Sequence, residues 1–398
     1  MSNPSARALA APPLPPRIDG LLRACVHCGF CNATCPTYQL SGDEREGPRG
    51  RLYLIKEVLV DGQDAPLDPL EHCLTCRSCE TTCPAGIQYA EILDHAREHT
   101  NHRRPWTARL ADRLLAHALG SRTIVRSIFG VLRATRPLTP HWSGAIEKSR
   151  HLTWPAARHT RKVAILQGCL QPHMMPDLDH KAAIILDHCG VSAIPLGPAC
   201  CGALPHHLHE ASRGRQLARE RLAQWQPDWA GVTSTASGCT SFMAEYPRLL
   251  GLEAAHARAF AEKVADIAAF IDPGTLPQLP PEQRMRIAFH APCTLQHGLR
   301  GHERVEAILR AIGHTLVPTD EPALCCGSAG PYSLRHPGWG RALGRRKWHA
   351  LTGGKPQQIV TANIGCLRQL ATQADRPVRH WVDVVYDAIT TSQTTAHD

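Results

Sequence analysis

Residues 25–36 read CVHCGFCNATCP and residues 73–84 read CLTCRSCETTCP. Cys25, Cys28, Cys31 and Cys35 recur 48 residues later as Cys73, Cys76, Cys79 and Cys83, and each run closes on Cys-Pro, at Pro36 and Pro84. In two-cluster ferredoxins a loop of this spacing gives three thiolates to one [4Fe–4S] cluster and sends its fourth to the other. The crossed assignment is Cys25, Cys28, Cys31 and Cys83 for the first cluster, and Cys73, Cys76, Cys79 and Cys35 for the second. Gly29 and Gly86 let the backbone approach the sulfurs closely. Zinc also uses C-x2-C pairs, but it needs neither the third cysteine nor the Cys-Pro ending. All eight positions are filled, so no iron is left open for Lewis-acid chemistry, and a pair of one-electron carriers is expected.

Between the two runs, PRGRLYLIKEVL places Leu52, Ile55, Val58 and Leu59 at helical spacing, with Pro48 at a position suited to a helix start. Tyr89 to His99 reads as a second helix. The two cysteine loops therefore belong to a compact helical domain.

Nine further cysteines lie between Cys169 and Cys366, and these also repeat. Cys169 maps onto Cys293, Cys200-Cys201 onto Cys325-Cys326, and Cys239 onto Cys366. Each unit opens with a short apolar strand, KVAILQGC or RIAFHAPC, and continues with a helical pattern, Asp177 to His188 or Gly301 to Ile312. A Cys-Cys-Gly loop follows, and a second strand-like segment, GVTSTASGC or QIVTANIGC, leads to the last cysteine. Alternating strands and helices predict an α/β fold with a largely parallel sheet, and cysteines past strand ends sit where such sheets hold ligands. The four thiols of each unit are further candidate metal ligands, for zinc or a third iron–sulfur site, with free core thiols as the alternative. Cys189 is left over and reads as an apolar core cysteine. His206, His207, His209, His290 and His297 read as hydrogen-bonded or surface histidines, with ligation the minority alternative.

The 398 residues carry 44 Lys+Arg against 35 Asp+Glu, a formal charge of +9. Bound thiolates would offset part of that charge. The remainder suits a buried anionic cofactor, a partner surface or a membrane surface. Nucleic acid fits poorly, because the basic residues form no stripe and aromatics make up only 5%. No apolar run reaches the ~18 residues of a transmembrane helix; Thr123 to Leu132 is interrupted by Arg126. The first residues lack the pattern of a secretory signal, so an intracellular setting is expected, where disulfides are disfavoured. Trp106 to Leu132 reads as one or two amphipathic helices broken near Gly120, with Arg109, Arg113, Arg122 and Arg126 interleaved. They would pack on the protein itself or face a membrane or partner. The nearest approach to a dinucleotide fingerprint, Gly338, Gly340 and Gly344, follows no strand and has its third glycine one residue late. There is no P-loop, so hydride chemistry on this chain is not expected.

The strings GCL, ACCGALPHHLH, ASGCTSF, HAPCTLQHG, LCCGSAGPYSL and TANIGCLRQL resemble the paired Cys-Cys-Gly domains of heterodisulfide reductase and its relatives. Together with RACVHCGFCNATCPTYQLSGDEREGPRGRLYLIKEVL and HCLTCRSCETTCPAGIQY, the chain resembles the iron–sulfur subunits of glycolate oxidase (glycolate dehydrogenase) from about Leu22 to Ile389. It departs from full Cys-Cys-Gly units at Phe242 and Gln369, where a closing cysteine would stand. The resemblance implies an α/β multi-domain fold: a loose terminus (1–18), a helical two-[4Fe–4S] ferredoxin domain (19–100), a helical connector (101–160), two Cys-Cys-Gly domains (161–282 and 283–390) and a loose end (391–398). It further implies an oxidoreductase component without its own flavin. Such a chain would relay electrons from flavin-containing subunits that oxidise glycolate to glyoxylate toward membrane quinone or another acceptor. It would be cytoplasmic and peripheral on the inner membrane. The cluster subunit of a glycerol-3-phosphate or lactate dehydrogenase, a heterodisulfide-reductase-type disulfide reductase, and a zinc-stabilised interaction protein are the alternatives.

Overall fold

The computed structural model describes residues 14–135, 147, 149–251 and 255–395. The first cysteine region is built of helices joined by loops, with no strand among its described residues. Pro48 opens the Pro48–Leu59 helix, and Gly47 precedes it in extended conformation. The buried face of this helix carries Leu52, Ile55 and Leu59. It meets Ile18 and Leu22 of the Pro16–Ala24 helix and Ile92, Leu93 and Ala96 of the Tyr89–Thr100 helix in one core that Cys79 completes. The Pro16–Ala24 helix takes in the end of a terminus expected to be loose, because Ile18 has a core to join. At the other end the Trp381–Thr395 helix likewise runs into the segment expected to be loose. The connector forms two helices, Trp106–Gly120 and Arg122–Ala134, and the Ser121 hydroxyl caps the second by accepting from the Ile124 N–H.

Two parallel sheets follow. Strands β1 (Lys162–Ile165), β2 (Ser192–Pro195) and β3 (Gly231–Thr233) pair in the order β2-β1-β3. Strands β4 (Arg286–His290), β5 (Thr315–Leu316), β6 (Gln358–Thr361) and β7 (Val378–His380) pair as β5-β4-β6-β7. Every pairing is parallel, with Val163 opposite Ala193 and Gly231, and Phe289 opposite Val360. Period-two alternation sends Val163 and Ile165 of β1, and Ile287 and Phe289 of β4, into a single core shared by both sheets, together with Leu178–His188 and Trp381–Thr395 side chains. The opposite faces have separate cores. Ala164 and Leu166 lie with Cys201, Phe242 and Tyr246, and Ala288 lies with Cys326, Cys366 and Trp348. The two repeats are thus fused through one hydrophobic layer. The Gly338, Gly340 and Gly344 stretch lies inside the Pro337–Thr352 helix, where it forms no nucleotide loop.

Candidate metal centres

The helical region packs on the loops that follow the strands' carboxyl ends and carry the Cys-Cys pairs. Asp94 of the Tyr89–Thr100 helix accepts from Arg248 (3.0 Å) and pairs with His206 (3.1 Å), and Glu71 pairs with His209 (3.0 Å). These partners hold the Asp94 carboxyl well below the usual carboxylate range against the cost of burial, and Glu71 is likewise lowered, to about 2. Arg77 bridges to Glu245, and Thr81 Oγ1 lies 3.0 Å from His297 Nδ1. His206, His209 and His297 are therefore anchoring side chains.

Cys25, Cys28 and Cys31 line one hollow together with Cys83, Cys79, Arg49 and Tyr89. Burial pushes the Cys31 thiol up to about 11, and the nearby Cys25, Cys83 and Cys28 sulfurs add to the shift. Gly29, at φ 82, sits where a Cβ would come within 2.7 Å of the Arg49 guanidinium. Burial raises the Cys79 thiol, and the Cys76, Cys73 and Cys35 sulfurs add to the shift. Buried Arg51 donates to Glu46 (2.9 Å), Thr37 (2.9 Å) and the Pro69 carbonyl (2.6 Å), and one of its amino groups lies 3.8 Å from Cys35 Sγ. Burial opposes its charge, but Cys73, Tyr89, Cys35 and Glu46 outweigh that and keep it protonated. Four thiols per set, a fixed guanidinium and apolar surroundings suit an anionic iron–sulfur group. Arg51 belongs to no motif in the sequence, although a lone arginine on the buried face of an amphipathic helix is a usable signal.

In the first Cys-Cys-Gly unit the sulfurs form a row, Cys169–Cys200–Cys201–Cys239. Cys200 lies beside Cys169 and Cys201, and its Sγ accepts from the Gly202 N–H (3.4 Å); its thiol is lowered by these neighbours while theirs are raised. The second unit repeats the row as Cys293–Cys325–Cys326–Cys366. The glycine after each pair is dictated by space: Gly202 has φ 99 and a Cβ there would meet the Gly214 carbonyl oxygen at 2.5 Å, and Gly327 has φ 82 with the Gly340 oxygen at 2.7 Å. The last cysteine of each row lies in a helix, Ser237–Ala244 or Ile364–Ala371, because β3 and β6 end several residues earlier. Where a closing cysteine would stand, Phe242 fills apolar space beside Cys201, and Gln369 donates to the Gly340 carbonyl (2.8 Å). Cys189 is half-buried and accepts from the Thr275 hydroxyl (3.4 Å).

The second row adjoins the second ferredoxin set. Burial and the neighbouring Cys293 sulfur raise the Cys76 thiol, and Leu74, Cys76, Cys293, Leu324, Cys325 and Tyr332 pack in one cluster. Lys347, 1% exposed, lies among Cys326, Cys325 and Cys366 and is pushed down to about 8 by burial, which those sulfurs partly offset. No sequence signal joins Cys76 to Cys293, because the contact is purely tertiary.

Residues 21–87 match the 4Fe-4S dicluster domain model, and residues 163–244 and 287–371 each match the cysteine-rich domain model. The chain is 41% identical to the glycolate oxidase iron-sulfur subunit of Escherichia coli (strain K12), covering 97% of both chains. It is 30% identical to a probable glycolate oxidase iron-sulfur subunit of Bacillus subtilis (strain 168), over 90% of both. It is also 25% identical to a component of the dihydromethanophenazine:CoB--CoM heterodisulfide reductase from Methanosarcina barkeri, over 92% of this chain and 94% of that one.

Proposed function

The chain belongs to the family of glycolate oxidase iron–sulfur subunits, and from that premise we propose that it relays electrons from a flavin-containing subunit, which oxidises glycolate to glyoxylate, toward membrane quinone. In this reading Cys25, Cys28, Cys31 and Cys83 hold one [4Fe–4S] cluster, and Cys73, Cys76, Cys79 and Cys35 hold the other. When bound, such clusters accept and release single electrons. The protein's own part is to fix the thiolates, exclude water and supply the Arg51 charge beside the second set. The observation that supports the proposal is that each loop's last cysteine lies near the other loop's sulfurs: Cys83 lines the hollow of Cys25, Cys28 and Cys31, and Cys35 is among the sulfurs that raise Cys79.

Cys28 is exposed and flanked by exposed Val26 (72%) and Phe30 (63%), which suits electron exchange with a partner at the first set. Behind the second set, Cys293, Cys325, Cys326 and Cys366 are the nearer of the additional candidate ligands; Cys169, Cys200, Cys201 and Cys239 form the other group. The disulfide-reductase reading is disfavoured by Phe242 and Gln369. No helix among the described residues is long and apolar enough to cross a membrane. Exposed Trp106, Leu110, Leu114, Ile128 and Val131 lie on the connector helices among arginines, and this suits peripheral attachment to an anionic membrane face. The test is anaerobic assay of the cluster-loaded chain with glycolate and a dye acceptor. No turnover alone, turnover on adding the flavin-containing partner, and its loss in Cys28→Ser or Cys76→Ser are expected. Turnover by the isolated chain would overturn the proposal.

A further inference from the structure

The two Cys-Cys-Gly units differ beside their sulfurs at a position set by strand alternation. In β4, Ile287 and Phe289 enter the shared core, so Ala288 and His290 turn to the face that holds Cys326 and Cys366. In the first unit, Ala164 of β1 and Leu166 just past its end do the same and face Cys201. His290 thus stands where the first unit has Leu166, 124 residues earlier, the same step that separates Cys169 from Cys293. A leucine there is ordinary core. His290 is 1% exposed, and neither of its ring nitrogens has a hydrogen-bond partner. A buried imidazole left in that state is unfavourable unless something else satisfies it. Lys347 does not: its ammonium donates to the Glu321 (2.8 Å) and Pro322 (3.1 Å) carbonyls and makes no hydrogen bond to the ring. What does surround the ring is sulfur. A His290 ring nitrogen, Cys326 Sγ and Cys366 Sγ all lie within 4.8 Å of one another, the single such group of three among the described residues.

We propose that His290, Cys326 and Cys366 form a mononuclear site for a borderline-soft divalent ion of the zinc type, completed by Cys325 or Cys293, and that the first unit, with Leu166 in the histidine's place, lacks this ligand set. The spacing is that of one ion. Tetrahedral coordination at ~2.3 Å to sulfur and ~2.0 Å to nitrogen puts ligand atoms about 3.5–3.8 Å apart, inside the 4.8 Å within which these three atoms already lie. Thiolates on the corners of a four-iron cube bind separate irons and spread wider. Mixed thiolate and imidazole donors suit zinc chemically, and binding displaces thiol protons to solvent. The inference concerns the second unit alone and stands whatever substrate reduces the ferredoxin clusters.

The test uses the full chain, purified anaerobically with its ferredoxin clusters in place. Zinc, iron and sulfide are counted, and cobalt(II) replaces zinc as a spectroscopic probe. One zinc per chain is expected, with a cobalt spectrum of tetrahedral sulfur-rich type. His290→Leu, which copies the first unit, is expected to weaken cobalt binding by at least about tenfold while both ferredoxin EPR signals persist. Unchanged cobalt binding with those signals intact would overturn the proposal, as would iron and sulfide amounting to a further cluster at this place. Should His290→Leu lose its EPR signals, His290→Cys decides. Zinc retained with X-ray absorption shifted from mixed nitrogen–sulfur to all-sulfur ligation supports the site, and an unchanged first shell contradicts it. Because the readout is metal content and ligation, failure here is separate from failure of the electron-transfer reading.

Discussion

The first and second Cys-Cys-Gly units share strand order around a central strand, a row of four sulfurs and a glycine pinned by a carbonyl, yet their sulfurs have different company. The first row is walled by Leu166, Phe242 and Tyr246. The second has His290, Lys347 and Gln369 around it, and across the interface Cys76 of a ferredoxin loop. The repeat fixes where thiols stand; what they can bind is set by single side chains on the face behind them. A chemically diverged pair on a shared frame should respond alike to changes in the frame and differently to changes beside the sulfur.

The largest effect is expected in the frame. Trp381 is 1% exposed in the core common to both sheets. Trp381→Ala should cost about 3–5 kcal/mol and lower the unfolding of both units together in denaturant titration. Loss of only the second unit would break the idea of one fused core. Next come the paired glycines. Gly202→Ala and Gly327→Ala each put a Cβ against a backbone oxygen at positive φ, so each should destabilise by roughly 1–3 kcal/mol. A large difference between them would mean that the two loops are not equivalent. A smaller effect, with a change of sign, separates the units. With zinc chelated away, His290→Leu should stabilise the chain by about 1–3 kcal/mol, because it removes an unpartnered buried polar group, whereas with zinc present it should destabilise. The same substitution lowering stability in both states would contradict the comparison.

A separate effect concerns pH and belongs to the first unit. Asp179 is fully buried, accepts from Gln171 (2.9 Å), and lies against Thr235 (2.5 Å), and burial pushes its carboxyl up to about 7. Raised above its unfolded value, it contributes stability that is present below about pH 4 and lost as the pH rises through 7. Thermal unfolding should therefore show a decline between about pH 4 and 7 that Asp179→Asn flattens. The corresponding first-turn acid of the second unit, Glu303, is exposed, and Glu303→Gln should leave the decline in place.

Much of this architecture is legible in local pattern. Pro48, the Leu52/Ile55/Leu59 spacing and the two apolar openings at Lys162 and Arg286 each specify their element without distant help. The connector break falls where Gly120 and the capping Ser121 place it. What stays hidden depends on contacts between residues far apart. The common core forms because β1 and β4 turn the same alternate residues inward, and the approach of Cys76 to Cys293 joins loops more than 200 residues apart. His290 reads in sequence as an ordinary hydrogen-bonded histidine, since burial without a partner has no mark in composition. Aligning KVAIL with RIAFH shows a histidine near a leucine's place and is the signal that could raise it.

The crossed pairing of the ferredoxin loops is the central claim, and EPR of the reduced Cys83→Ser chain tests it directly. Cys83 lies in the second loop yet lines the hollow with Cys25, Cys28 and Cys31. The predicted result is loss or conversion of the signal that Cys28→Ser also removes, with the signal dependent on Cys76 unchanged. Loss of the Cys76-dependent signal alone would contradict the crossed pairing.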